Sequence, residues 1–155
     1  MEQAPPLPPL PLPRDPRAID ADHLRLLAIF HFVMAGLAVL GLAFLAIHYT
    51  LMHAVLDNPA LWKDAKGGPP PAQILGLFRA MYVLFAVVFV AAGVGNLLSG
   101  FFIRRRRYRP FSLAVAGINC LNMPLGTLLG AFTFVVLLRG SVHDTYAARA
   151  STIDS

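Results

Sequence analysis

The stretch that decides the fold is residues 80–109, AMYVLFAVVFVAAGVGNLLSGFFIRRRRYR, where an apolar run of 24 residues stops at five arginines. A helix of about 20 apolar residues crosses the hydrocarbon core of a bilayer. Short cytoplasmic loops of membrane proteins are rich in Lys and Arg. The stretch therefore predicts a membrane-spanning helix that ends at a cytoplasmic loop.

The composition of the whole chain agrees with a membrane location. Of 155 residues, 57% are hydrophobic and 14% are charged, whereas soluble domains carry about 25% charged residues. The positive charge is concentrated in one loop and is not spread over a surface, so nucleic acid is not an expected partner. We expect this loop to set topology and to contact anionic lipid headgroups. Its arginines are Arg104, Arg105, Arg106, Arg107 and Arg109.

Two further apolar runs accompany residues 80–103. The first, Leu26–Ile47, has 22 residues and can span a bilayer. The last, Phe111–Leu138, has 28 residues and contains Asn122 and Pro124 near its middle. Because Asn can cap a new helix and Pro interrupts an existing one, we predict a break there. The predicted fold is an all-α polytopic transmembrane bundle of four helices, the last two forming a short hairpin. The alternative is three spans with a kinked third.

Three regions follow from these runs. Residues 1–22 are predicted to be a disordered, Pro-rich cytoplasmic tail, because proline lacks an amide donor and favours extended backbone. Residues 23–146 are predicted to form the transmembrane domain, with Asp20 or Asp22 capping its first helix. Residues 147–155 are expected to be a flexible tail. The predicted helices cover residues 24–49, 72–103, 106–121 and 124–146, and a short interfacial helix is expected after Asn58.

The positive charges also predict an orientation. Arg14, Arg17 and Arg25 flank the first run, two spans before the arginine loop. Both regions then lie on the cytoplasmic side. In the four-helix arrangement the carboxyl terminus returns to the same side. The predicted location is a bacterial inner membrane, with several crossings and a cytoplasmic amino terminus.

Three polar residues inside the apolar runs form the candidate site. His31 and Asn96 lie at similar depth on the first two helices, and Asn119 lies somewhat deeper on the third. Polar side chains in lipid are costly alone and find partners on neighbouring helices. We predict that the three meet inside the bundle, either as a hydrogen bond that fixes packing or as part of a ligand site or polar pathway.

Small residues four positions apart predict close helix packing. Gly126 and Gly130 form a GxxxG pair, and Gly95 and Ser99 have the same spacing. Small side chains let helix backbones approach each other in lipid.

Signatures of enzyme chemistry are missing from the sequence. It has no Gly-rich phosphate loop, no HExxH and no GxSxG motif. The apolar runs contain no carboxylate, so the usual groups of ion-coupled transport are lacking. His48 and His53 are five apart and a poor zinc pair, and haem ligation by two histidines would need a dimer. We expect no enzyme activity, no cofactor and no metal.

Two segments resemble a set of small, uncharacterised bacterial inner-membrane proteins with a domain of unknown function. They are HLRLLAI at 23–29 and INCLNMPLGTLLGAFTFVVLLRGSV at 118–142, with the Pro-Leu-Gly-Thr turn at Pro124–Thr127. The resemblance implies a membrane protein and brings no catalytic residue. The expected role is an accessory or scaffold component, packed against itself or a larger membrane complex. The alternative is an oligomeric pore or small-solute pathway lined by His31, Asn96 and Asn119.

Overall fold

The computed structural model describes residues 15–63 and 68–151, and this part of the chain is all-helical, as predicted. Two of its helices, α1 and α3, are long and apolar enough to cross a membrane by length and composition. The helices are α1 Pro16–Leu56, α2 Pro59–Trp62, α3 Ala72–Arg105, α4 Arg109–Asn119, α5 Leu125–Leu137 and α6 Gly140–Ser151.

Helix α1 is longer than predicted at both ends. It begins at Pro16, and Oδ1 of Asp15 accepts a hydrogen bond from the amide of Arg17 over 2.9 Å. The predicted tail over residues 1–22 is therefore wrong for 16–22, and the predicted caps Asp20 and Asp22 lie inside the helix. An acidic cap followed by proline in the first turn explains the earlier start. Residues 1–14 lie outside the described residues.

The connection between α1 and α3 contains the expected short helix. The side chain of Asn58 accepts a hydrogen bond from the amide of Ala60 over 3.0 Å and caps α2. The indole nitrogen of Trp62 donates to the carbonyl of Leu56 over 3.1 Å. These bonds fold the start of the connection back onto the end of α1. Helix α3 then begins at Ala72, the predicted position.

The last apolar run breaks into two antiparallel helices, so the alternative of one kinked helix is wrong. The turn is closed by bonds from the Thr127 hydroxyl to the carbonyl of Cys120, 2.8 Å, and from the amide of Gly126 to the carbonyl of Asn122, 2.7 Å. The expected side-chain cap at Asn122 is also wrong, because Pro124 occupies the cap position without a side-chain bond.

Two predicted boundaries of these later helices change. Helix α4 begins at Arg109 and not at 106, because Arg106 and Tyr108 have φ values of 53° and 50°, which a right-handed helix excludes. The predicted helix 124–146 is two helices, because α5 ends with Leu138 at its C-cap, where the apolar run also ends, and α6 begins at Gly140. Residues 147–151 of the predicted flexible tail belong to α6, and residues 152–155 lie outside the described residues.

The hairpin of α4 and α5 covers only one end of the long helix pair. Helices α1 and α3 run antiparallel, so that His31 meets Asn96 and His48 meets Tyr82. In the described part of α1, every buried residue lies between Asp20 and Ala38, and in α3 between Asn96 and Ile103. We call this end, with α4, α5 and α6, the bundle half. The rest of α1 and α3 is the two-helix half.

A continuous apolar core fills the bundle half, and α6 closes it by contacting α1 and α5. Its buried members are Leu24, Leu27, Ala28, Ile103, Leu129, Val136, Leu137, Val142 and Tyr146.

Candidate functional site: a buried polar cluster and an arginine-rich end

His31 and Asn96 face each other in the interior of the bundle half. Helix α1 contributes His31, which is fully buried, and α3 contributes Asn96, which is 2% exposed. Nδ1 of His31 lies 2.9 Å from Oδ1 of Asn96. The antiparallel pairing of the two long helices therefore brings the two predicted polar residues into direct contact.

Asn119 joins this pair from the last turn of α4. Nδ2 of Asn96 donates to Oδ1 of Asn119 over 3.1 Å, and Nδ2 of Asn119 donates to Oδ1 of Asn96 over 2.8 Å. The second proton on Nδ2 of Asn96 goes to the carbonyl of Ala92, 2.9 Å away. With the bond to His31 as the fourth, the Asn96 amide uses two donors and two acceptor positions, which is its full capacity.

Two hydroxyls surround the other nitrogen of the His31 ring. Nε2 lies 3.4 Å from Oγ of Ser99 and 3.4 Å from Oγ1 of Thr133. Thr133 already donates its proton to the carbonyl of Leu129 over 2.7 Å, so Ser99 is the hydroxyl that donates to Nε2. Oδ1 of Asn96 accepts, so the neutral ring carries its proton on Nδ1. We call His31, Asn96, Ser99, Asn119 and Thr133 the polar cluster.

The polar cluster ties four helices together. Ser99 was expected only as a small packing residue, and Thr133 was not singled out from the sequence. The available signal for Thr133 was its position as the one polar side chain between Leu128 and Leu138. All five side chains are buried and bonded to one another or to backbone carbonyls. Such an arrangement orients helices and stabilises their packing.

The two predicted pairs of small residues differ in how closely neighbouring helices approach them. A Cβ atom at Gly126 would overlap the carbonyl oxygen of Asn119, and one at Gly130 would overlap atoms of Cys120 and Ala116. The GxxxG pair therefore sets the close approach of α4 and α5. By contrast, a Cβ atom at Gly95 would lie 3.7 Å from Val115, an ordinary contact.

The five loop arginines are not one patch. Nε of Arg109 donates to the carbonyl of Leu137 over 2.7 Å and joins α4 to the end of α5. The Arg107 guanidinium lies 5.8 Å from the centre of the Tyr108 ring, and Arg105 is exposed. Arg104 and Arg106 line a groove beside α1.

A second polar contact at this end was not predicted from the sequence. The carboxylate of Asp20 accepts hydrogen bonds from Oγ of Ser141, 2.5 Å, and from Nη1 of Arg139, 3.3 Å. Asp20 is only 8% exposed. These bonds fix the start of α6 against the first turns of α1.

Tyr146 of α6 is buried in the core of the same end. Its burial raises the pKa of the phenol to about 12, although the charges of Arg106 and Arg109 act in the opposite direction. Within the described residues its hydroxyl has no hydrogen-bond partner. The ring therefore contributes apolar contact, and its hydroxyl is an uncompensated polar group.

The histidines at the other end of α1 do not come together. Nδ1 of His48 lies 2.6 Å from the hydroxyl of Tyr82, and Nδ1 of His53 lies 2.9 Å from Oδ2 of Asp57. Over residues 15–63 and 68–151, no three His, Cys, Asp or Glu side chains are grouped to hold a metal ion.

Comparison with protein-family models, curated proteins and solved structures gave no match. The resemblance to small inner-membrane proteins therefore stays a prediction.

Proposed function

We propose that this chain is an integral membrane protein in which α1 and α3 cross the bilayer. The apolar part of α1, Leu26–Ile47, is about 33 Å long at 1.5 Å per residue, close to the ~30 Å of a hydrocarbon core. Many large apolar side chains of both helices are exposed, including Leu40 at 66% and Leu84 at 61%. Water would not favour such a surface, whereas lipid tails or the apolar face of a membrane partner would cover it.

The hairpin of α4 and α5 is proposed to enter the membrane partway and return. With 11 and 13 residues, the two helices are about 17 Å and 20 Å long, short of a ~30 Å core. The end of α4 lies level with Asn96, eight residues or about 12 Å inside Arg104. We favour this arrangement over four full crossings because of these lengths.

The proposed orientation places the bundle half on the cytoplasmic side of a bacterial inner membrane. Arg17, Arg25, Arg139 and the arginine loop all lie at that end, whereas the described residues of the opposite end carry Lys63 and Arg79. Excess positive charge marks the cytoplasmic side.

The proposed role is that of a non-enzymatic accessory or scaffold component. One observation carries this proposal: the five side chains of the polar cluster bond to one another or to backbone carbonyls, while no helix of the described residues covers the apolar faces of the two-helix half. Such faces suit packing against a larger membrane protein or a second copy. The pore alternative is less favoured, because His31, Asn96 and Asn119 bond to each other inside a single chain.

Purification from membranes in mild detergent, with partner identification and measurement of oligomer mass, tests this role. We expect a defined complex that is lost when Leu40 and Leu84 of the two-helix half are changed to Ala. The matched control variant carries Leu128→Ala and Val135→Ala, two changes at exposed positions on α5. This variant should retain the complex. A monomer without partners, in both the parent and the variants, would contradict the scaffold role. Recovery in the soluble fraction would contradict the membrane placement itself.

A further inference from the structure

Three arginines, one from α1, one from the end of α3 and one from the residue that follows α3, line one groove at the arginine-rich end. The groove, about 410 Å³ in volume, lies between α1 and the end of α3 and is lined by Arg25, Arg104 and Arg106. Its other lining residues are Ala21, Leu24, Ala28, Ile29, Phe32 and Ile103, so no carboxylate contributes to its described walls.

Within the described residues, no carboxylate neutralises the charges of these arginines. Among residues 15–63 and 68–151, no Asp or Glu oxygen lies within ion-pair distance of Arg25, Arg104 or Arg106. Arg106 has a φ of 53°, a left-handed conformation that costs a non-glycine residue ~1–2 kcal/mol. Glycine would adopt this backbone conformation at lower cost. The residue at this position is nevertheless an arginine, and its side chain lines the groove.

The rest of the groove is apolar and leads away from the guanidinium groups along α1. Leu24, Ala28 and Ile103 are buried beneath it, and Ile29 and Phe32 follow on the next turns. A Cβ atom at Gly100 would come within 2.8 Å of the Phe32 ring. The glycine therefore lets the Phe32 ring lie close against α3.

We propose that this groove binds one anionic phospholipid of the cytoplasmic leaflet. Arg25, Arg104 and Arg106 hold its phosphate, since guanidinium groups pair well with phosphate oxygens. One acyl chain lies along Ile29 and Phe32. The inference rests on the proposed membrane placement, and goes beyond it by naming a bound ligand and its site. It also assigns Arg25, which is remote in sequence from the arginine loop, to the same site.

Native mass spectrometry of the full chain, released from micelles doped with phosphatidylglycerol or phosphatidylcholine, tests the site. We expect one phosphatidylglycerol to stay bound and phosphatidylcholine not to. The Arg25→Gln/Arg106→Gln variant should bind phosphatidylglycerol roughly 25-fold more weakly, at about fivefold per arginine. The Arg105→Gln/Arg107→Gln variant removes the same amount of charge from residues of the arginine loop outside the groove, and should weaken binding less than about fivefold.

Further measurements separate the alternatives. Inorganic phosphate added at the lipid concentration should leave bound phosphatidylglycerol unchanged, and displacement by it would overturn the lipid assignment. Equal losses in the two variants would overturn the groove as the site. Unfolding midpoints matching the parent show that both variants are folded. A chain that fractionates with membranes but fails these binding tests loses this site and keeps the proposed placement.

Discussion

Asn96 and Asn119 exchange two side-chain hydrogen bonds, of 3.1 Å and 2.8 Å, in the interior of the bundle half. This reciprocal pair joins the long helix α3 to the last turn of α4. It fixes how far the hairpin of α4 and α5 reaches along α3.

The first prediction concerns this pair. The Asn96→Leu substitution removes the side-chain hydrogen bonds that His31 and Asn119 make with Asn96. Both side chains then stay buried without these bonds. We expect a loss of about 1–3 kcal/mol in the free energy of unfolding, measured by denaturant titration in detergent. Asn122→Leu makes the same change at an exposed position and should have little effect. An unchanged midpoint for Asn96→Leu would show that the contact does not stabilise the bundle.

The second prediction concerns the contact between α4 and α5. In the Gly130→Ala variant the new methyl group would overlap Cys120 and Ala116, so the helices must separate, at a cost of about 1–3 kcal/mol. Gly36→Ala is the matched control, because a Cβ atom there meets nothing within 4 Å. It should be neutral or stabilise α1 by up to ~1 kcal/mol. Thermal unfolding compares the two, and equal effects would contradict a tight α4–α5 contact.

The third prediction concerns Tyr146. Removing its unpartnered hydroxyl in Tyr146→Phe should leave the protein equally stable or more stable by about 1 kcal/mol near pH 8. Burial raises the pKa of the phenol to about 12, whereas an unfolded tyrosine titrates near pH ~10. The stability linked to the neutral phenol is therefore present below about pH 10 and lost as the pH rises towards about 12.

This alkaline loss should be smaller in Tyr146→Phe and unchanged in Tyr108→Phe, since Tyr108 is 62% exposed. Unfolding midpoints at a series of alkaline pH values make the comparison. A clear loss of stability near pH 8 in Tyr146→Phe would mean that the hydroxyl has a partner.

The fourth prediction concerns the attachment of α6. Asp20→Asn weakens the bonds to Ser141 and Arg139, and we expect a loss of about 1–2 kcal/mol together with faster amide exchange in α6. Hydrogen exchange with mass spectrometry measures this. The exposed Asp22→Asn provides the control on the same helix. Unchanged exchange in α6 after Asp20→Asn would argue against this attachment.

The fifth prediction concerns the path of the hairpin. In a Cys120→Ala background, thiols introduced by Tyr108→Cys and His143→Cys should react with a water-soluble maleimide from the same side of the membrane. The thiol from Met123→Cys should be protected from both sides. A reporter fused after Ser155 should give a cytoplasmic signal. Reaction of the Met123→Cys thiol from the opposite side would indicate full crossings.

The helical class could be predicted because apolar runs are a local property of the chain. Residues 80–103 and Leu26–Ile47 are too long and too poor in charge for other elements, and the structure places α3 and α1 over them. The break before Pro124 was equally local, because proline limits its own neighbourhood wherever it lies. The start of α1 was predicted several residues too late, since Asp20 and Asp22 can cap a helix as Asp15 does, and the proline after Asp15 is what favours the earlier start.

The sequence by itself determined which segments are apolar helices, where the last run turns, and which polar residues needed partners. Only the tertiary structure decided which residues are their hydrogen-bond partners. Ser99 and Thr133 join His31, and Asp20 bonds to a residue 121 positions away, because such contacts depend on helix register and not on spacing along the chain. The arginine loop was similarly divided by the fold. The end of α3 and the start of α4 place these arginines in different surroundings. As a result, Arg104 and Arg106 line one groove together with Arg25, whereas Arg109 bonds to α5.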